Sequence, residues 1–172
     1  NPEFAARGII ISDNENDGEV VAKLSDGRFI VYKKTGGTLR GIHYGEDDWD
    51  ENAPLAADIL NGEAVDLFIK LTHEEYYKRF SEYFGNTIIG IFTDEPSCVG
   101  RGGGWKFKPW YKGVLSDLTD SGGNPEELEA LFKNEENETT VIYRKLISEK
   151  INNTYYKKLS DWCEEHNVAR SE

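Results

Sequence analysis

Asp94 and Glu95 are the residues of this 172-residue sequence best placed to do chemistry. They end the run Ile88-Ile-Gly-Ile-Phe-Thr-Asp-Glu-Pro-Ser97. Paired carboxyls suit proton transfer, provided the fold holds them in a partly dry place. The apolar part, Ile88 to Phe92, has the length and β-branched content of a strand buried on both faces. Pro96 lacks an amide donor and restricts the residue before it, so the strand is expected to stop at Glu95. Carboxyls at the carboxyl end of a buried strand lie where α/β folds place their reactive groups. A strand followed by a plain acidic turn would read the same way, and both readings stand.

The loop that follows, residues 97–110, is glycine-rich and carries Trp105, Phe107 and Trp110, with Tyr111 just after. Aromatics with a polar handle can stack on a ligand or plug the mouth of a core. For Trp110, beside an expected helix start, the core is the preferred reading. Gly102 to Gly104 do not make a phosphate loop, because the Gly-Lys-Ser/Thr ending is missing. The acidic stretch Gly45 to Pro54 does not match a calcium loop and reads as solvated. Trp49 inside it is harder to leave unassigned, since Trp in such company packs on or binds something.

Net charge is −12, from 32 acidic and 20 basic residues, a field that repels phosphate backbones and argues against nucleic acid as partner. No segment approaches the roughly 20 apolar residues of a bilayer span, so no membrane association and a soluble protein are expected. Two cysteines, Cys98 and Cys163, and three histidines do not suggest a zinc site, and no cofactor or metal is expected. The N-terminus has neither an initiator Met nor a signal-type apolar run, so the sequence reads as an excised or processed segment.

The elements that must position the acidic pair follow from pattern. Residues 8–44 read as an antiparallel β meander, with Ser25-Asp-Gly27 as a hairpin turn. Asn61 suits a helix N-cap, and Val65, Phe68, Ile69, Thr72, Tyr76 and Phe80 form one stripe. That helix is expected to run to about Tyr83 and stop at Gly85. A short helix over residues 110–118, another starting at Pro125, and a long one from Thr139 or Thr140 to about His166 follow. Val168-Ala169 resembles the start of a further strand. The rhythm of helix, strand, loop and helices suggests part of a (β/α)8 barrel, although the chain falls short of the roughly 250 residues such a barrel needs. The expected architecture is α/β: residues 1–54 as meander and acidic loop, 55–172 as a barrel portion.

The segments Asn1-Pro-Glu-Phe-Ala-Ala-Arg-Gly8, Asn61-Gly-Glu-Ala-Val-Asp-Leu-Phe-Ile-Lys-Leu-Thr-His-Glu-Glu-Tyr-Tyr77, Phe84-Gly, Phe92-Thr-Asp-Glu-Pro96 and Trp162-Cys-Glu-Glu-His-Asn167 resemble bacterial barrel glycoside hydrolases, the α-L-rhamnosidase-like group among them. The resemblance implies hydrolysis of O-glycosidic bonds in a carbohydrate substrate. In the wider clan an Asn-Glu-Pro at a strand end carries the acid/base, so by analogy it implies Glu95 as general acid, with Asp94 in the place of the Asn. Apolar walls would raise the Glu95 pKa and a like-charged Asp94 would add to this. The resemblance also makes Trp105, Phe107, Trp110, Tyr111 and Trp49 candidates for sugar stacking. It puts the second carboxylate on a later strand, beyond Glu172, in the remainder of a full-length enzyme. The isolated chain is therefore expected to be inactive. The competing expectation is a non-catalytic carbohydrate-binding or interaction module that uses the aromatic loop 105–111.

Overall fold

A computed structural model describes residues 2–39 and 53–171. Near the N-terminus lie β1 (Arg7–Ser12), β2 (Glu19–Lys23) and β3 (Phe29–Lys34). The hairpin between β2 and β3 forms where the sequence places it. Gly27 adopts φ 91°, and the Asp26 carboxylate accepts the Arg28 amide at 3.0 Å. β1 pairs with β3 rather than with β2, from Arg7 opposite Lys34 to Ser12 opposite Phe29. The sheet is therefore not a meander: its order is β2-β3-β1-β5, with β5 the short edge strand Lys108–Pro109. The connection over residues 13–18, with its 3-10 turn Glu15–Asp17, separates β1 from β2 and leaves β1 to take the other edge of β3. Pro109 is tolerated because an edge strand can lack one donor.

The opposite half is helical. α1 (Gly62–Leu71) starts at Asn61, whose side chain accepts the Glu63 amide at 3.0 Å. The single helix expected to Tyr83 is broken. At Thr72 the backbone turns to φ −116°, and α2 (His73–Phe80) continues from there into a 3-10 turn, Ser81–Tyr83. The Thr72 hydroxyl donates to the Phe68 carbonyl at 2.7 Å, a local bond that competes with regular helix. The stripe read as core is buried at Val65, while Phe68, Tyr76 and Phe80 are exposed.

β4 (Gly90–Phe92) pairs in parallel with β6 (Ala169–Ser171). The expectation of a strand buried on both faces is overturned: Ile89 is 72% exposed and Phe92 65%. Only Ile88 and Ile91 pack inward, against Trp162, Cys163 and Val168. The partial (β/α)8-barrel reading is corrected with it. The four-stranded sheet is antiparallel, the parallel pairing is confined to β4 and β6, and no barrel is evident among the described residues. The fold is a small mixed α/β domain.

α3 (Val114–Asp120), α4 (Ala130–Lys133) and α5 (Glu138–Ile151) cover the sheet. Leu118, Leu128, Leu131 and Tyr143 meet Ile9 and Ile30 in the main core. The expected long helix is real but contains a π turn, Asn152–Tyr156, before it resumes as α6 (Lys157–Glu165). Cys98 and Cys163 are both free thiols. Among the described residues, no helix is long and apolar enough to cross a membrane.

Candidate functional site

The loop that carries the acidic pair is fastened to the end of β3. The buried Thr35 hydroxyl donates to the Val99 carbonyl at 2.8 Å and accepts the Gly37 amide at 3.0 Å. Arg101 and Thr38 exchange backbone bonds of 2.9 and 3.2 Å. Ser97 Oγ accepts the Gly100 amide at 3.0 Å and so closes the turn. Gly100 has no substitute here. Its φ is +74°, and a Cβ on it would lie 2.6 Å from the Gly37 carbonyl carbon and 2.8 Å from Ala56 Cβ. At Gly100 the loop is packed directly against Gly37 and Ala56.

A second segment, residues 54–61, runs alongside. The Ala56 amide donates to Gly37 O at 2.9 Å, the Ala6 amide to Ala56 O at 2.8 Å, and the Asp58 amide to Phe4 O at 2.8 Å. On its far side the Ile59 carbonyl accepts the Thr154 hydroxyl at 2.9 Å. Thr154 and its neighbour Tyr155 belong to the π turn, which re-aims side chains relative to a regular helix.

Between these segments is a cleft of about 240 Å³, lined by Asp58, Asp94, Glu95, Arg101 and Tyr155, with Ala64, Val65 and Phe68 as apolar wall. Its carboxyls live in different surroundings. Asp58 is 5% exposed, and one of its oxygens accepts the Leu60 amide at 3.1 Å. Burial pushes its pKa up from the ordinary 3.8 to about 6, against the opposing pull of the Leu60 amide, Arg7, the Asn61 amide and Lys150. The Glu95 side chain is 67% exposed and sits 3.0 Å from the Arg101 guanidinium. Its backbone adopts φ 45°, a left-handed conformation that is uncommon outside glycine. Strain of this kind collects at functional positions.

The cleft holds both expected carboxylates, Asp94 and Glu95, but the desolvation expected at Glu95 is found at Asp58 instead. Of the proposed sugar-stacking residues, Phe107, Trp110 and Tyr111 are core. Trp110 stacks on Tyr143 with ring centroids 6.1 Å apart, and the Tyr111 hydroxyl donates to Asp117 at 2.7 Å. They are spent on packing because β5 pairs with β1 and the residues that follow it, Trp110, Tyr111 and Val114, enter the main core. Trp105 is 60% exposed and does not line the cleft. Trp49 lies outside the described residues. The aromatic platform that a binding module would need is therefore not assembled from loop 105–111.

Sequence reasoning missed Asp58, Arg101 and Tyr155. One signal for Asp58 is present in the chain: it is the lone acid within Leu55-Ala-Ala-Asp-Ile-Leu60. No signal marks Tyr155, because a π turn leaves no trace in helical spacing. Among the described residues no group of three His, Cys, Asp or Glu side chains is gathered closely enough to hold a metal ion. No family model, curated protein or solved structure matches the chain.

Proposed function

We propose that the cleft hydrolyses O-glycosidic bonds, with Asp58 as the group that protonates the leaving oxygen. The observation that carries this reading is one cleft lined by a desolvated carboxyl, Asp58, and by solvent-facing Asp94 and Glu95. Glycoside hydrolysis asks for two carboxyls in unlike states, one protonated and one ionised. Environments that separate two titrating groups are how a fold assigns those roles. Asp58, with a pKa of about 6, keeps a useful fraction of its protons in mildly acidic and neutral water. Glu95 takes the other role, as base or nucleophile on the opposite side of the bond, and Arg101 at 3.0 Å orients it. Asp94 shapes the approach. Tyr155 and Phe68 supply ring surface on which a sugar can rest.

In this reading the partner carboxylate that the sequence placed beyond Glu172 has a candidate within the chain. The purified 172-residue chain is then expected to turn over at least one member of a panel of aryl glycosides. Activity should fall on the alkaline side near the Asp58 pKa. A panel-wide absence of hydrolysis, or an activity unchanged by Asp58→Asn and Glu95→Gln together, would sink the proposal.

A further inference from the structure

On the other side of Phe68 from the carboxyl cleft lies a second cavity, of about 300 Å³, that the hydrolase reading does not use. Its wall is made by Phe68, Tyr76, Phe84, Ile88 and Ile91, with one buried polar side chain, His73. His73 is 6% exposed. Its Nδ1 lies 2.8 Å from the Thr72 hydroxyl oxygen. That hydroxyl spends its single proton on the Phe68 carbonyl at 2.7 Å, so toward His73 it accepts, and Nδ1 carries the hydrogen. Nε2 is then a bare lone pair. It has no hydrogen-bond partner among the described residues. Phe68 and Trp162 stand edge-on to the imidazole, with centroids 5.3 and 5.1 Å away, and burial lowers the His73 pKa, so the ring stays neutral.

An acceptor buried without a partner costs free energy that a donor would recover, and such orphans in a native fold call for an explanation. Here the orphan belongs to the one buried polar side chain of an otherwise apolar recess large enough for a small ring. We propose that this recess binds a small aromatic or aliphatic molecule bearing one hydroxyl, the apolar body against Phe84, Ile88 and Ile91 and the hydroxyl donating to His73 Nε2. Nε2 is closed off from solvent, so the guest's access to it requires a wall to give way; we assign this to Phe68, which is more than a third exposed. The recess shares Phe68 with the carboxyl cleft but none of its carboxyls, so the absence of binding here would leave the hydrolase reading standing.

The probes are para-cresol and toluene, which differ by the hydroxyl alone, titrated above neutral pH and followed by nitrogen NMR of the His73 ring. Para-cresol should bind about tenfold more tightly than toluene, the worth of one buried acceptor satisfied. It should also move the Nε2 resonance as a hydrogen-bonded acceptor moves. In His73→Leu the preference should vanish or reverse. Binding of toluene as tight as para-cresol, no binding of either, or a preference that survives His73→Leu would each overturn the proposal. Should His73→Leu fail to fold, the Nε2 resonance of the unaltered chain decides: its indifference to saturating para-cresol would overturn the proposal on its own.

Discussion

Replacing Asp58 by Asn separates a catalytic carboxyl from a structural one, because the two roles predict opposite signs for stability. Asn keeps the oxygen that accepts the Leu60 amide, and it serves turns of this kind as well as Asp does. What it removes is ionisation. A carboxyl raised from 3.8 to about 6 resists ionising in place by about 3 kcal/mol, at 1.36 kcal/mol for each tenfold step. Between those two pH values the folded chain holds more protons at Asp58 than the unfolded chain does. The Asp58 contribution to the stability of the unaltered protein therefore falls as pH rises from about 4 to about 6, then levels off. The Asp58 contribution is fully present below 3.8 and lost once pH has passed about 6. Asp58→Asn carries no such loss. It should match the unaltered chain near pH 4 and exceed it above pH 7 by up to about 3 kcal/mol, less whatever the buried amide N–H groups cost. In a chain of this size each kcal/mol moves the melting temperature about 2–4 °C. Urea unfolding across that pH range reads the difference directly. In parallel, hydrolysis of a glycoside with a poor leaving group should fall about 10²–10⁴-fold, the usual worth of general acid catalysis. A dinitrophenyl glycoside, whose leaving group needs no proton, should be nearly spared. A variant less stable than the unaltered chain at every pH, or equally active on poor leaving groups, would refute the reasoning.

Other consequences are open to measurement. Glu95→Gln should lower turnover on good and poor leaving groups alike, by about 10²-fold or more, while Asp94→Asn should cost less; steady-state kinetics on matched substrates checks both. Gly100→Ala should destabilise by about 1–3 kcal/mol in chemical denaturation, since the new Cβ meets Gly37 and Ala56 and the backbone sits at φ +74°. Trp110→Ala should cost about 3–5 kcal/mol without altering sugar binding, because its ring is fully engaged with Tyr143 and the main core.

Much of the local structure could be read along the chain. The Asp26-Gly27 hairpin, the Asn61 cap, the helix beginning beside Thr139 and the strand after Val168 all follow from turn chemistry, capping and periodicity, which act within a few residues. The carboxyls of Asp94 and Glu95 were visible for the same reason, as the polar end of an apolar run. Periodicity reported which side chains share a face but not whether anything covers that face. It therefore placed Ile89, Phe92, Tyr76 and Phe80 inside, where the tertiary structure leaves them in solvent. The rhythm of helices and strands after residue 55 suggested a barrel, but there, among the described residues, β4 pairs only with β6. The expected meander gives way to β1 pairing with β3, a choice made by contacts between residues 17–27 positions apart. Asp58 is the sharpest case. Its type and position were plain in the sequence, but its pKa depends on burial, and burial depends on Phe4, Gly37 and Thr154 arriving from three distant parts of the chain. Residue identity fixed which groups can ionise, and only the packing around them decided which carboxyl has its pKa raised.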